Sequence, residues 1–196
     1  MGREFSPLFL RESRKINILF VRPHGYVRRN EDQEKDMKAL IIYDSVFGNT
    51  KRVAQAIGEE LSAGHVTTEV LSVKETNTSE IVDFDLIVFG SPTHGGRASS
   101  DMKEFFGSIP DESLAGKKIA CFDTRSDLSE ENIFVRTVVR LLGYAAGRIE
   151  GTLRKKGGEP VIEPEGFLVS GREGPLVEGE LERAKKWGRD LAEALG

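Results

Sequence analysis

The apolar residues of this chain fall into two kinds of run, and the contrast between them predicts the architecture. Ala39 to Tyr43, Leu86 to Phe89 and Lys118 to Phe122 are short and nearly continuous in apolar residues, as expected of strands buried on both faces. Between them the spacing changes. Asn49 or Thr50 opens a segment whose Val53, Ala54, Ile57 and Leu61 recur at helical intervals, with Gly64 at a plausible C-terminal cap. Val66 to Val73 mixes Thr and Glu with Val and Leu, the pattern of a half-exposed edge strand. A turn-rich connection, Lys74 to Glu80, leads into Leu86 to Phe89, which ends at Gly90-Ser91-Pro92.

Met102 to Phe106 reads as a short helix, and Ser129 with Glu130 and Glu131 as the N-terminus of a long one through about Arg154. A hydroxyl and two acids there suit the exposed N–H groups and the helix dipole. Gly157 and Gly158 stop that helix, and Pro160 to Val169 holds a further strand interrupted near Pro164 and Gly166. A last helix presents Leu181, Ala184, Gly188, Leu191 and Leu195 on one side. Five strands separated by helices predict an α/β domain with a parallel sheet, the strand Ala39 to Tyr43 at its centre.

Composition changes this picture little. A chain of 196 residues is enough for one domain with a sizeable core, and 38% hydrophobic with 31% charged residues is ordinary for a globular protein. No apolar run approaches the roughly 18 to 20 residues that a spanning helix needs, so membrane insertion is not expected and a soluble, cytoplasmic protein is. The lone Cys121 lies in an apolar run, where a thiol packs as a small hydrophobe. Charge is unevenly placed. Residues 1–36 carry 8 basic and 6 acidic residues, and the remainder 20 basic and 26 acidic. An acidic body is a poor match for nucleic acid and suits either basic protein partners or plain solubility.

Residues 1–36 differ from the rest: Arg-rich, polar, with one short apolar run from Ile16 to Val21. They read as an N-terminal extension. Either they are disordered or precede a natural start at Met37, or Ile16 to Val21 adds an edge strand or packs on the surface of the domain that occupies residues 37–196.

In an open parallel sheet, ligands bind beyond the carboxyl ends of the strands where the strand order reverses. The first loop at such an end is Asp44-Ser45-Val46-Phe47-Gly48-Asn49-Thr50. Ser and Thr hydroxyls, with backbone N–H groups at a helix N-terminus, form a cradle for a dianionic phosphate, and Gly48 allows close approach. Neither a Walker A loop nor the G-x-G-x-x-G fingerprint is present, so a mononucleotide monophosphate fits better than ATP or NAD.

Leu40-Ile41-Ile42-Tyr43-Asp44-Ser45, with Gly48-Asn49-Thr50 and Val53-Ala54, resembles the phosphate-loop signature of the flavodoxins. The likeness departs at Val46 and Phe47, where flavodoxins commonly carry Thr or another small residue. A second string, Gly90-Ser91-Pro92-Thr93-His94-Gly95-Gly96-Arg97-Ala98-Ser99, resembles the Gly-Ser-Pro-Thr turn of the NAD(P)H:quinone reductase branch of flavodoxin-like proteins. The segment Glu165 to Val169 with Gly171 to Gly179 is similar to the tails of such proteins, so the resemblance runs over about Met37 to Gly196.

The resemblance implies a three-layer sandwich with five parallel strands in the order 2-1-3-4-5, holding FMN noncovalently. Its phosphate would lie on Ser45, Val46, Phe47, Gly48, Asn49 and Thr50. The loop holding Pro92, Thr93, His94, Gly95 and Gly96 would lie along the isoalloxazine ring, and the loop Asp123-Thr124-Arg125-Ser126 would cover its other side. Gly95 and Gly96 let a peptide rotate so that its carbonyl accepts a hydrogen bond from the protonated flavin N5. His94 either stacks on the ring, sits beside it as a polar neighbour, or is a surface histidine without a role. Arg97 either compensates the reduced flavin's charge or is solvated.

His24, His65 and His94 lack metal-ligand spacing and there is no cysteine pair, so no metal site is expected. Asp44 stands without the paired acids of a receiver domain, and no G-x-S-x-G elbow points to a hydrolase. No side chain need be catalytic, because the redox chemistry belongs to the flavin. Three functions stay open: an electron carrier serving redox partner proteins, a reductase passing electrons from NAD(P)H to a quinone, and a module of this fold without flavin. Oligomeric state is not legible.

Overall fold

The computed structural model describes residues 37–127 and 144–196. Residues 1–36 and the expected helix N-terminus at Ser129 to Glu131 lie outside the described residues.

Strand β1 (Lys38–Tyr43) is followed by α1 (Asn49–Ala63) and β2 (Thr67–Ser72). A short 3-10 helix, Thr78–Asp83, precedes β3 (Leu86–Pro92) and α2 (Ser100–Ser108). Then come β4 (Lys118–Ser126), α3 (Ala145–Arg154), β5 (Glu159–Pro160), β6 (Glu165–Val169) and α4 (Glu180–Glu193). The strands form one parallel sheet in the order β2-β1-β3-β4-β5, with β6 also paired to β4. This is the expected 2-1-3-4-5 order with its last strand split in two.

The continuous apolar strands have the expected cause, since helices cover both faces of the sheet. On one face Ile41, Val88 and Phe122 pack with Val53, Ile57 and Leu61 of α1 and Trp187 and Leu191 of α4. On the other, Ile42, Phe89 and Cys121 pack with Met102 and Phe106 of α2 and Ile149 and Leu153 of α3. β2 alternates between exposed and partly covered residues because it stands at the sheet edge.

Two strands run further than their apolar runs suggest. Gly90, Ser91 and Pro92 belong to β3, and Asp123 to Ser126 are not a loop but the last four residues of β4. Polar residues hold strand geometry there because Phe122 to Ser126 are in register with Glu165 to Val169 of β6. The split between β5 and β6 falls at residues 161–164, where Pro164 has no N–H to give to a ladder. Gly166, expected at the interruption, lies inside β6. Gly64 caps α1 through its N–H to the Glu60 carbonyl at 3.0 Å with an ordinary φ of −82°, and His65 takes the left-handed backbone instead.

A candidate FMN site at the carboxyl ends of β1, β3 and β4

The ends of β1, β3 and β4 converge on a cleft. From the β1–α1 loop it is lined by Ser45, Val46, Phe47, Asn49 and Thr50. The end of β3 and the following turn contribute Pro92, Thr93 and His94, and β4 contributes Thr124, Arg125 and Ser126. All three expected segments therefore meet at one place. Gly48, Gly95, Gly96 and Asp123 lie outside the lining. Val169 and Arg172 line the cleft without having been singled out as site residues. The repeated glycines around Arg172 were the only signal that this tail turns sharply toward the site.

Gly48 is the N-cap of α1 and supplies no side-chain cap. The N–H groups of Asn49, Thr50 and Lys51 therefore have no acceptor among the described residues, as is general for a first helical turn. The Ser45 N–H is held by Asp44 Oδ1 at 2.9 Å, which turns the loop away from the strand. Thr50 Oγ1 and Thr124 Oγ1 lie 2.8 Å apart and join α1 to β4 beneath the cleft. Asn49 Nδ2 donates to the Glu173 carbonyl at 2.7 Å.

The β3 end is tied down in the same way. Thr93 N–H donates to the Thr124 carbonyl at 2.8 Å, and Ser99, the N-cap of α2, donates its N–H to Ser91 Oγ at 3.0 Å. Between these anchors His94 and Arg97 exchange backbone hydrogen bonds of 2.9 and 3.1 Å around Gly95 and Gly96, whose φ values are +55° and +73°. Positive φ at both central positions is the geometry of a type I′ turn, which glycine adopts without a side-chain clash.

Asp123 points to the other face of the sheet. It is fully buried, its Oδ2 accepts from the Ala146 N–H at the start of α3 at 2.9 Å, and its Oδ1 meets Arg125 Nε at 2.6 Å. Burial pushes the carboxyl pKa up, against the pull of Arg125 and the Ala146 N–H. The Arg125 guanidinium lies 3.6 Å from the Tyr144 ring centroid and against Gly166, where a Cβ would collide with it. The side chain expected on the flavin is thus held as a staple between β4, β6 and α3.

Two hydroxyls break the pattern of satisfied partners. Ser45 Oγ and Thr93 Oγ1 are buried and have no hydrogen-bond partner among the described residues, though Thr93 lies near enough to the Asp123 carboxylate to help lower its pKa. Such groups cost stability when left unpaired, so their persistence on either side of a cleft marks a place where something else supplies the partner. Among the described residues no carboxylate lines the cleft, and the full charges there are Arg125 and Arg172.

Residues 40–141 match the model of the flavodoxin domain. The chain belongs to the flavodoxin family. Among its relatives, the flavodoxin of Aquifex aeolicus is 30% identical over 80% of this chain and 85% of its own length. The flavodoxin of Clostridium saccharobutylicum is 27% identical over 80% of this chain and 96% of its own. A solved flavodoxin from the domain Archaea superposes with a TM-score of 0.63 at 26% identity, covering 80% of this chain and 97% of that one. This flavodoxin-like protein binds FMN and acts in electron transfer. Among the described residues no helix is long and apolar enough to cross a membrane.

Proposed function

We propose that the cleft at the ends of β1, β3 and β4 is where this chain holds FMN, and that it works as a soluble cytoplasmic carrier between redox proteins. The observation that carries the site assignment is the pair of buried, unpartnered hydroxyls, Ser45 Oγ and Thr93 Oγ1, lining one cleft with the free N–H groups of α1. The N–H groups of Asn49, Thr50 and Lys51 and Ser45 Oγ would be the donors to hold its phosphate, with the helix dipole adding to the attraction. Val46 and Phe47 have no hydroxyl to add, and their backbone N–H groups serve instead.

Thr93, His94 and Thr124, which line the same cleft beside the Gly95-Gly96 turn, would then be the residues to hold the ring. When bound, FMN supplies the redox chemistry, taking up and releasing electrons. The protein binds and orients it: Thr93 Oγ1 gains a polar partner, the Gly95-Gly96 peptide is free to present either its N–H or its carbonyl, and Val46 and Phe47 shield the cleft mouth. Val46 is 63% and Phe47 48% exposed, so an apolar lip surrounds the site. An acidic body with 26 acidic against 20 basic residues favours basic protein partners, whose approach it would accelerate at low salt.

The test is turnover. The FMN-loaded protein mixed with NAD(P)H and a quinone is expected to oxidise no nucleotide until a partner reductase is added, and the reductase-dependent rate is expected to fall as salt rises. Sustained NAD(P)H oxidation by the protein and quinone alone would assign it to the quinone reductases instead.

A further inference from the structure

The loop Ser45–Thr50 contains no cation, and two of its side chains are occupied within the protein: Thr50 with Thr124, and Asn49 with the Glu173 carbonyl. The Asn49 bond has a second consequence, because it fixes the turn from Ser170 to Pro175 against the start of α1. Ser170 N–H donates to the Pro175 carbonyl at 2.8 Å and Gly174 N–H to the Ser170 carbonyl at 3.2 Å, closing the turn on itself. Gly174 has φ +102°, and a Cβ there would collide with the Asn49 side chain, so the turn approaches α1 as closely as backbone can. Arg172 sits at the tip of this turn. It lines the same cleft as Ser45 and Asn49, is exposed, and has no ion-pair partner among the described residues.

We propose that Arg172 is the phosphate-recognising cation of this site, delivered from the tail of the chain to replace the side-chain hydroxyls that Val46 and Phe47 do not offer. This rests on the FMN reading above. A guanidinium presents two parallel N–H donors that match a dianionic phosphate, and it stays charged at all relevant pH values. The other cation among the described residues that line the cleft, Arg125, cannot take this role without cost, since it is bound to buried Asp123 and stacked on Tyr144. Arg172 therefore sets the preference for the phosphorylated flavin over riboflavin, which shares the ring and ribityl chain and lacks the phosphate.

Apoprotein is titrated with FMN and separately with riboflavin, following quenching of flavin fluorescence, for the intact protein, Arg172→Ala and Arg172→Lys. The expected result is an FMN affinity lower by about 10- to 100-fold in Arg172→Ala, with riboflavin affinity unchanged and a shallower salt dependence of FMN binding, and in Arg172→Lys a smaller loss with the salt dependence kept, because the charge remains. Arg172 is on the surface, and matching thermal melts of the apoproteins check that folding is intact. Unchanged FMN affinity in Arg172→Ala, or an equal loss for FMN and riboflavin, overturns the proposal while leaving the FMN site standing. Failure of the intact protein to bind either flavin overturns the site assignment and this proposal with it.

Discussion

Removing the Arg125 side chain tests whether the Asp123–Arg125–Tyr144 cluster holds the cleft wall in place. Asp123 is fully buried, and in Arg125→Ala its remaining partner within the cluster is the Ala146 N–H. Truncating one member of a buried ion pair generally costs about 3–5 kcal/mol. Here the carboxylate has an escape, because it can take up a proton. Starting from a usual value of about 3.9, protonation costs at most about 4 kcal/mol near pH 7 and about 1.5 kcal/mol near pH 5. The intact protein already carries part of that penalty, since burial holds the Asp123 pKa above its usual value despite Arg125. Loss of the stacking on Tyr144 adds about 0.5–1 kcal/mol.

Arg125→Ala is therefore expected to destabilise the apoprotein by about 2–4 kcal/mol near pH 7 and by about 1–2 kcal/mol near pH 5. The sign follows from linkage. An acid whose folded-state pKa is raised contributes stability that is full below its unfolded pKa and lost as pH rises through the folded one, and the variant raises that pKa further. Urea unfolding at the two pH values measures the difference. The double variant Asp123→Asn/Arg125→Ala removes the charge and is expected to lose the extra pH dependence. An equal cost at both pH values, or a double variant with the same pH dependence as Arg125→Ala, would refute the reasoning.

Ser45→Ala removes a buried hydroxyl that has no partner, so the apoprotein is expected to melt at the same temperature or slightly higher, while FMN affinity falls by about 2- to 12-fold. Gly90→Ala pushes a Cβ into the Phe122 ring, whose edge contacts with Phe167 and Trp187 at 6.1 and 6.3 Å leave it no room to retreat. A loss of about 1–3 kcal/mol in urea unfolding is expected. Cys121 is fully buried and burial pushes its thiol well above the usual pKa, so a thiol reagent is expected to label the native protein only after denaturant is added.

The buried strands and the layers were legible in the sequence because a strand covered on both faces must be apolar throughout, and Ala39 to Tyr43, Leu86 to Phe89 and Ile119 to Phe122 are; the strand order came from the resemblance to the flavodoxins. The loop Ser45 to Thr50 was legible for a related reason, since phosphate loops sit where a buried strand meets a helix. The end of β4 was not. Asp123-Thr124-Arg125-Ser126 has the composition of a turn, and it stays extended because β6, offset by the interruption at Pro164, pairs alongside it. Its alternation then sends Asp123 to the α3 side and Thr124 to Thr50, a division that composition does not show. Arg172 is far from the motif in sequence, and only the turn closed on Asn49 brings it to the cleft.

The most direct test of the site is to follow backbone amide resonances of the apoprotein as FMN is added. Shifts are expected at Ser45 to Thr50, Thr93 to Gly96, Thr124 and Arg125, with Arg172 moving among them. FMN that fails to bind, or that instead perturbs residues elsewhere such as the hollow at Lys74 to Thr78, would contradict the assignment of this cleft.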